Sequence, residues 1–111
     1  MVNKTIDRKE FFGLNHYRYG EAYFGSCNGM RYRLAADPLR RLKPDEAPDG
    51  LNLLATVWPE PYSYAATEEE KRSSRQFPFS EEGLTEAVNW LNAQYLEQKE
   101  RWQEAKEAPL I

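Results

Sequence analysis

The clearest pattern along the chain is a pair of alternating apolar and polar segments joined by Asn28-Gly29, which predicts a β-hairpin over residues 21–36. Asparagine and glycine suit the two positive-φ positions of a type I′ turn, and a two-residue loop fixes the register of the strands that flank it. The face expected to join the core carries Tyr23, Gly25, Cys27, Met30, Tyr32 and Leu34. The opposite face, expected to meet solvent or a partner, carries Phe24, Ser26, Arg31 and Arg33.

Two further segments precede the C-terminal helix. Residues 51–58 are apolar, become β-branched towards their end and are followed by Pro59, which predicts a third strand packed on the hairpin. The loop before this strand, residues 44–50, is rich in proline and acidic residues. Residues 65–76 carry many charges and no apolar stripe, so they are predicted to be a charged connector, either a short exposed helix or a loop.

The strongest helical pattern covers residues 81–107. Ser80 can cap the first turn of this helix. Acidic side chains in the same turn interact favourably with the positive end of the helix dipole. The stripe repeats at alternating steps of four and three residues and consists of Leu84, Val88, Leu91, Tyr95, Gln98 and Trp102. Six helical turns span about 32 Å, whereas a strand of seven residues spans about 23 Å. We therefore expect the helix to extend past the sheet and leave Trp102 free to contact a second chain in a homodimer.

The segregation of strands and helices indicates an α+β fold rather than a doubly wound sheet. At the N-terminus, residues 7–10 predict the start of a short helix that ends near Gly13. A three-stranded meander cannot bury its apolar face alone. The sequence therefore predicts one domain, residues 1–111, in which a small antiparallel sheet, formed by the hairpin and a third strand, is covered by a long C-terminal helix.

Composition limits the classes of function. Hydrophobic residues make up 41% of the 111 residues, which is enough for one core. No segment approaches the roughly 18 apolar residues of a membrane-spanning helix, and residues 1–5 lack the apolar stretch of a secretory signal. The single cysteine cannot form an internal disulfide. We therefore expect a cytoplasmic protein that does not bind membranes.

The net charge of −3 is unevenly distributed along the chain. Residues 1–43 hold nine lysines and arginines against four acidic residues, whereas residues 44–111 hold six against fourteen. The two parts can attract each other in the folded chain, or one of them can attract a partner of opposite charge.

Residues that carry catalysis or bind metals are scarce. His16 and Cys27 are the only histidine and cysteine, and a nucleophilic thiolate requires a positioned base or a strongly electropositive pocket. The acidic runs at 68–70 and 81–82 lack the spacing of a calcium loop. The glycines do not form a phosphate-binding loop. The sequence therefore predicts no enzyme, no metal site and no cofactor.

Aromatic and basic residues are interleaved around the hairpin. The predicted partner-binding residues are Arg18, Tyr19, Phe24, Arg31 and Arg33. Rings beside guanidinium groups anchor protein interfaces, stack bases in nucleic-acid binders and also occur on ordinary protein surfaces. From this pattern we expect a small non-enzymatic interaction domain that binds a protein partner. The alternative is a nucleic-acid-associated protein.

Four segments, residues 24–33, 57–62, 77–83 and 87–91, also carry a resemblance. They resemble small uncharacterised proteins of gut Firmicutes that are often associated with mobile elements. Because mobile elements carry inhibitors of host defence, such as anti-CRISPR proteins, the resemblance implies binding rather than catalysis. It also makes an inhibitor of a nucleic-acid-processing complex part of the alternative. It assigns no functional residue.

Overall fold

A computed structural model describes residues 13–60 and 63–107, together with Ile6 and Phe11. The described chain forms a short helix, three strands, one 3-10 turn, a fourth strand and two further helices. In order these are α1 (Leu14–Arg18), β1 (Tyr23–Cys27), β2 (Met30–Asp37), β3 (Asn52–Pro59), the 3-10 turn Glu69–Lys71, β4 (Ser73–Pro78), α2 (Glu81–Glu97) and α3 (Lys99–Glu107).

The four strands form one antiparallel sheet in the order β1-β2-β3-β4, so each strand lies beside its neighbour in the chain. The helices pack on one face of this sheet, which we call the helix-covered face and which presents Met30, Tyr32, Leu34, Leu53, Ala55, Val57 and Phe77 to the core. The other face, called the outer face, carries Phe24, Ser26, Arg31, Arg33, Leu54, Thr56, Trp58, Ser74 and Gln76. The predicted α+β class and helix-covered antiparallel sheet are confirmed.

The turn between β1 and β2 has the predicted type I′ character, because Asn28 and Gly29 have φ angles of 44° and 99°. The register is also as predicted, with Cys27 opposite Met30 beside the turn. The turn lies so close to α3 that a Cβ atom at position 29 would overlap the backbone carbonyl of Trp102. Glycine is therefore required here both by its φ angle and by the approach of α3.

The fourth strand begins within the segment predicted to be a charged connector, residues 65–76, so that prediction is wrong from Ser73 onward. Only Phe77 of this strand is buried. β4 instead pairs with β3 along its whole length, beginning with Ser73 opposite Val57. An edge strand gains backbone hydrogen bonds from its one neighbour and needs no alternating apolar face. For that reason the hydrophobic pattern gave no sign of it.

The C-terminal helical segment begins as predicted but is broken near its end. The Ser80 hydroxyl accepts a hydrogen bond from the Gly83 N–H at 3.0 Å, which caps α2. At Gln98 the backbone leaves the helical region, with φ −123° and ψ 34°, and α3 starts at the next residue. The prediction of one continuous helix over residues 81–107 is therefore corrected to two helices.

The expectation that Trp102 lies past the sheet, free to contact a second chain, is wrong. Its side chain is fully buried in the core of its own chain, and its indole Nε1 donates a hydrogen bond to the carbonyl oxygen of Gln94 at 3.2 Å. Nearby, the Asn28 amide donates to the Tyr95 hydroxyl at 3.1 Å. The hairpin turn thus contacts both α2 and α3 at one end of the helical layer. Because Trp102 is buried, it no longer supports a homodimer, which stays a prediction.

The predicted N-terminal helix falls largely outside the described residues, which include only Ile6 and Phe11 before Gly13. Both of these side chains are buried in the common core. The backbone N–H of Ile6 donates to the Asn92 side-chain oxygen at 3.1 Å, and the Asn92 amide donates to the Ile6 carbonyl at 2.9 Å. This reciprocal pair of hydrogen bonds joins the start of the chain to α2.

Replacing Gly29 with alanine is expected to lower the free energy of unfolding more than a positive φ angle alone would. Gly50→Ala is the matched control, because Gly50 has a φ of 80° but no atom within 4 Å of an added Cβ. Positive-φ strain costs about 1–3 kcal/mol, and overlap with α3 adds about 1–3 kcal/mol. Urea unfolding measures both losses. Equal losses would contradict the contact between the turn and α3.

Leu91→Ala is expected to lower the free energy of unfolding by about 2–5 kcal/mol, because Leu91 is fully buried in the core. Leu96→Ala makes the same chemical change in the same helix at a side chain that is 54% exposed, and should stay within about 0.5 kcal/mol of the unmodified protein. Thermal denaturation of both variants tests which face of α2 is buried. Similar losses of stability in the two variants would show that Leu91 does not lie on the buried face of α2.

Candidate binding surface

The outer face of the sheet brings together three of the five predicted binding residues. Phe24 lies opposite Arg33, and Ser26 lies opposite Arg31, so these side chains form two adjacent cross-strand pairs. The Phe24 ring is 56% exposed, whereas the two arginines are half-buried. The hairpin register therefore places an exposed ring beside two guanidinium groups, as the sequence predicted.

The connection between β3 and β4 folds over this face and adds Tyr64 to it. The centroid of the Tyr64 ring lies 5.4 Å from that of Trp58 and 6.5 Å from that of Phe24, both in edge-to-face arrangements. The guanidinium carbons of Arg33 and Arg72 lie 4.7 Å and 4.6 Å from the Tyr64 centroid. We call Phe24, Arg33, Trp58, Tyr64 and Arg72 the aromatic-arginine cluster.

The aromatic-arginine cluster has a buried base and an exposed rim. Trp58 is only 2% exposed, so part of the outer face, which was expected to meet solvent or a partner, is covered by the chain itself. Arg33 also lies 5.9 Å from the Phe24 ring, and Arg72 donates a hydrogen bond to the Tyr64 carbonyl at 3.4 Å. These contacts restrict the movement of both guanidinium groups.

Arg31 lies next to the cluster on the outer face, opposite Ser26 in β1 and Trp58 in β3. Its Nε atom is buried and has no hydrogen-bond partner among the residues that the structure describes. A buried donor without a partner is destabilising by about 1–3 kcal/mol. Part of the hydrogen-bonding capacity of Arg31 is therefore unused within the described chain.

The other two predicted binding residues, Arg18 and Tyr19, lie against the segment 40–46 rather than the cluster. The Arg18 guanidinium donates to the carbonyl oxygen of Glu46 at 2.8 Å. Tyr19 is 53% exposed, and its ring centroid lies 5.4 Å from the guanidinium carbon of Arg41. The structure thus separates these two residues from the group that β1 and β2 present.

Glu46 also forms hydrogen bonds within the segment 40–46. Its carboxylate accepts hydrogen bonds from the backbone N–H of Lys43 and from the Arg40 guanidinium, each at 3.0 Å. The bond from Lys43, followed by that from Arg40, lowers the pKa of Glu46 below its usual range. The basic residues here thus stabilise a loop of their own chain.

Sequence reasoning missed three members of the cluster: Trp58, Tyr64 and Arg72. Trp58 could have been found, because strand alternation places every second residue of 52–58 on the outer face. Tyr64 and Arg72 belong to a connection with no regular period, and their positions depend on contacts with distant strands. No local pattern indicated them.

The residues considered for catalysis are held apart. The His16 Nε2 atom lies 3.3 Å from the carbonyl oxygen of Ala22, just before β1, whereas Cys27 ends that strand. Five residues of extended chain separate these ends by about 17 Å. The described residues contain no group of three or more histidine, cysteine or acidic side chains able to hold a metal ion. No helix among them is long and apolar enough to cross a bilayer.

Comparisons add no relative to this picture. Neither protein-family models, nor curated proteins, nor solved structures yield a match to the chain. The resemblance to gut Firmicutes proteins associated with mobile elements therefore stays a prediction.

Tyr64→Ala is expected to expose Trp58 and to lower the free energy of unfolding by about 1–3 kcal/mol. Tyr19→Ala is the control, because Tyr19 is exposed and its described ring contact is with Arg41. Fluorine NMR of 5-fluorotryptophan-labelled protein with a soluble paramagnetic probe reports each indole separately. Broadening of the Trp58 signal should increase only in Tyr64→Ala. An unchanged Trp58 signal in Tyr64→Ala would show that Tyr64 does not shield Trp58 from solvent.

Proposed function

We propose that this protein is a small non-enzymatic interaction domain that binds an acidic protein partner through Arg31 and the aromatic-arginine cluster. The observation that carries the proposal is the exposed Phe24 ring beside Arg33, whose guanidinium group stacks on Tyr64. Aromatic residues and arginine are enriched among the residues that dominate protein interfaces, because they combine large apolar contact area with fixed hydrogen bonding.

The restricted arginines favour binding to carboxylates. Arg33 and Arg72 both contact the ring of Tyr64, which in turn packs on the buried Trp58. A guanidinium group held in place loses less conformational freedom on binding, and its planar donors match a carboxylate in two parallel hydrogen bonds. The excess of lysine and arginine over acidic residues in 1–43 adds long-range electrostatic attraction for an acidic partner.

The surroundings of the cluster favour a protein over a nucleic acid. The connection that carries Tyr64 also carries the exposed acidic residues 68–70. Those carboxylates would repel a continuous phosphate backbone, which binds best to an extended basic surface. A protein can place one or two carboxylates near the arginines and leave neutral groups near the acids.

Changing Arg31 and Arg33 together to alanine is expected to abolish capture of the partner while leaving the fold intact. The matched control is Arg40→Ala with Arg41→Ala, which removes the same charge from two exposed adjacent arginines outside the cluster. Affinity purification from cells that produce the protein, followed by mass spectrometry, compares the two variants. A partner should be retained by the control and lost by the other variant, with affinity at least about tenfold weaker.

Two outcomes would contradict this assignment. Identical sets of captured proteins for both double variants would show that the outer face is ordinary surface. Binding of a fluorescent single-stranded oligonucleotide that falls steeply with salt, and that disappears in the Arg31 and Arg33 variant, would instead assign the face to a nucleic acid.

A further inference from the structure

The outer edge of β1 lies beside the aromatic-arginine cluster. β1 is an edge strand of the four-stranded sheet, and among the described strands it pairs with β2. Within residues 13–60 and 63–107, no backbone hydrogen bond reaches this outer edge. Nearby, the His16 Nε2 atom lies 3.3 Å from the carbonyl oxygen of Ala22, just before the strand begins, and the Phe11 ring packs on Tyr23 at a centroid distance of 4.7 Å.

The hairpin register determines which backbone groups point to this edge. Cys27 and Met30 flank a two-residue turn, so they form a hydrogen-bonded pair, and bonded pairs recur at every second residue of an antiparallel ladder. Gly25 therefore also bonds to β2. The N–H and C=O groups of Phe24 and Ser26 point away from β2, and their side chains lie on the outer face.

The two edges of the sheet differ in how they are protected. β4 contains Arg75 and Pro78, and both a charge and a residue without an N–H discourage pairing with another strand. β1 reads Tyr-Phe-Gly-Ser-Cys and contains no charge and no proline. Edge strands that lack such protection are templates for an added strand.

The side chains around this edge specify the chemistry of an added strand. On the outer face, one of its residues would lie beside Phe24 and the residue two positions away would lie beside Ser26. Phe24 offers an exposed ring to an apolar side chain. Ser26 is small and lies opposite Arg31, so it leaves room for an acidic side chain to reach that guanidinium group.

We propose that the outer edge of β1 binds an extended acidic segment of the partner as a fifth strand. The segment carries an apolar residue beside Phe24 and an acidic residue two positions away that faces Arg31. This inference rests on the proposed function and names how the partner is recognised. Main-chain hydrogen bonds supply affinity in such complexes, and alternate side chains supply specificity.

The direct test uses the unmodified protein and two synthetic peptides of about ten residues, the length of a long strand. One contains Glu-Thr-Leu-Thr-Glu in a Thr/Ser background, which places a glutamate two positions from the leucine in either strand direction. The other contains Thr-Glu-Leu-Glu-Thr, which moves both carboxylates to the opposite face. Amide exchange is followed by NMR. The first peptide should slow exchange of the Phe24 and Ser26 amides, and the second should bind on the order of tenfold more weakly.

A pair of variants tests the same hydrogen bonds. Ser26→Pro removes an N–H that points to the free edge and leaves the bonds to β2 in place. Ser26→Ala keeps the N–H and is the control. Fluorescence anisotropy should show loss of Glu-Thr-Leu-Thr-Glu peptide binding in the proline variant alone. If Ser26→Pro does not fold, the amide exchange of the unmodified protein decides the question.

The outcomes separate this inference from the proposed function. Peptide binding that requires Arg31 and Arg33 but leaves the Phe24 and Ser26 amides in fast exchange would overturn strand addition and leave the proposed function standing. So would partner capture that depends on the arginines while neither peptide binds. A homodimer in analytical ultracentrifugation that Ser26→Pro dissociates would show that a second copy occupies the edge instead.

Discussion

The close approach of the Asn28-Gly29 turn to α3 is the constraint on which the rest of the structure depends. The turn sets the register of β1 and β2, and that register decides which side chains face the core and which face outward. The same turn meets the backbone of Trp102 and, through the Asn28 amide, the Tyr95 hydroxyl. A shift of one residue in the hairpin would therefore move the arginines into the core and separate the helical layer from the sheet.

Each face of the sheet is completed by a different kind of interaction. The helix-covered face is closed by aliphatic and aromatic side chains of α2 and α3. On the outer face, one ring from a connecting segment, Tyr64, packs on Trp58 and is contacted by two guanidinium groups. Stability and the proposed recognition thus depend on the same residues there, because the groups that cover Trp58 also form the charged rim.

Sequence patterns foresaw the elements that depend on local chemistry. The Asn-Gly turn, the apolar run of β3 and the Ser80 cap each contain their own signal, and the pairing of Phe24 with Arg33 follows from the turn. The elements missed depend on distant partners. β4 is held by backbone pairing with β3, and Tyr64 is positioned by its contact with Trp58. The helix ends at Gln98 although the apolar stripe of the sequence continues past this residue. Arg18 and Tyr19 are near the hairpin in sequence, yet they pack against the segment 40–46.

The uncharged edge of β1 also bears on how this chain can evolve. A lysine at position 24 or 26 would protect the strand against unwanted pairing with other chains during synthesis. The same lysine would place a charge where the Phe24 ring is now exposed beside Arg33. Selection for solubility and selection for the proposed recognition would then act in opposite directions on the same two positions.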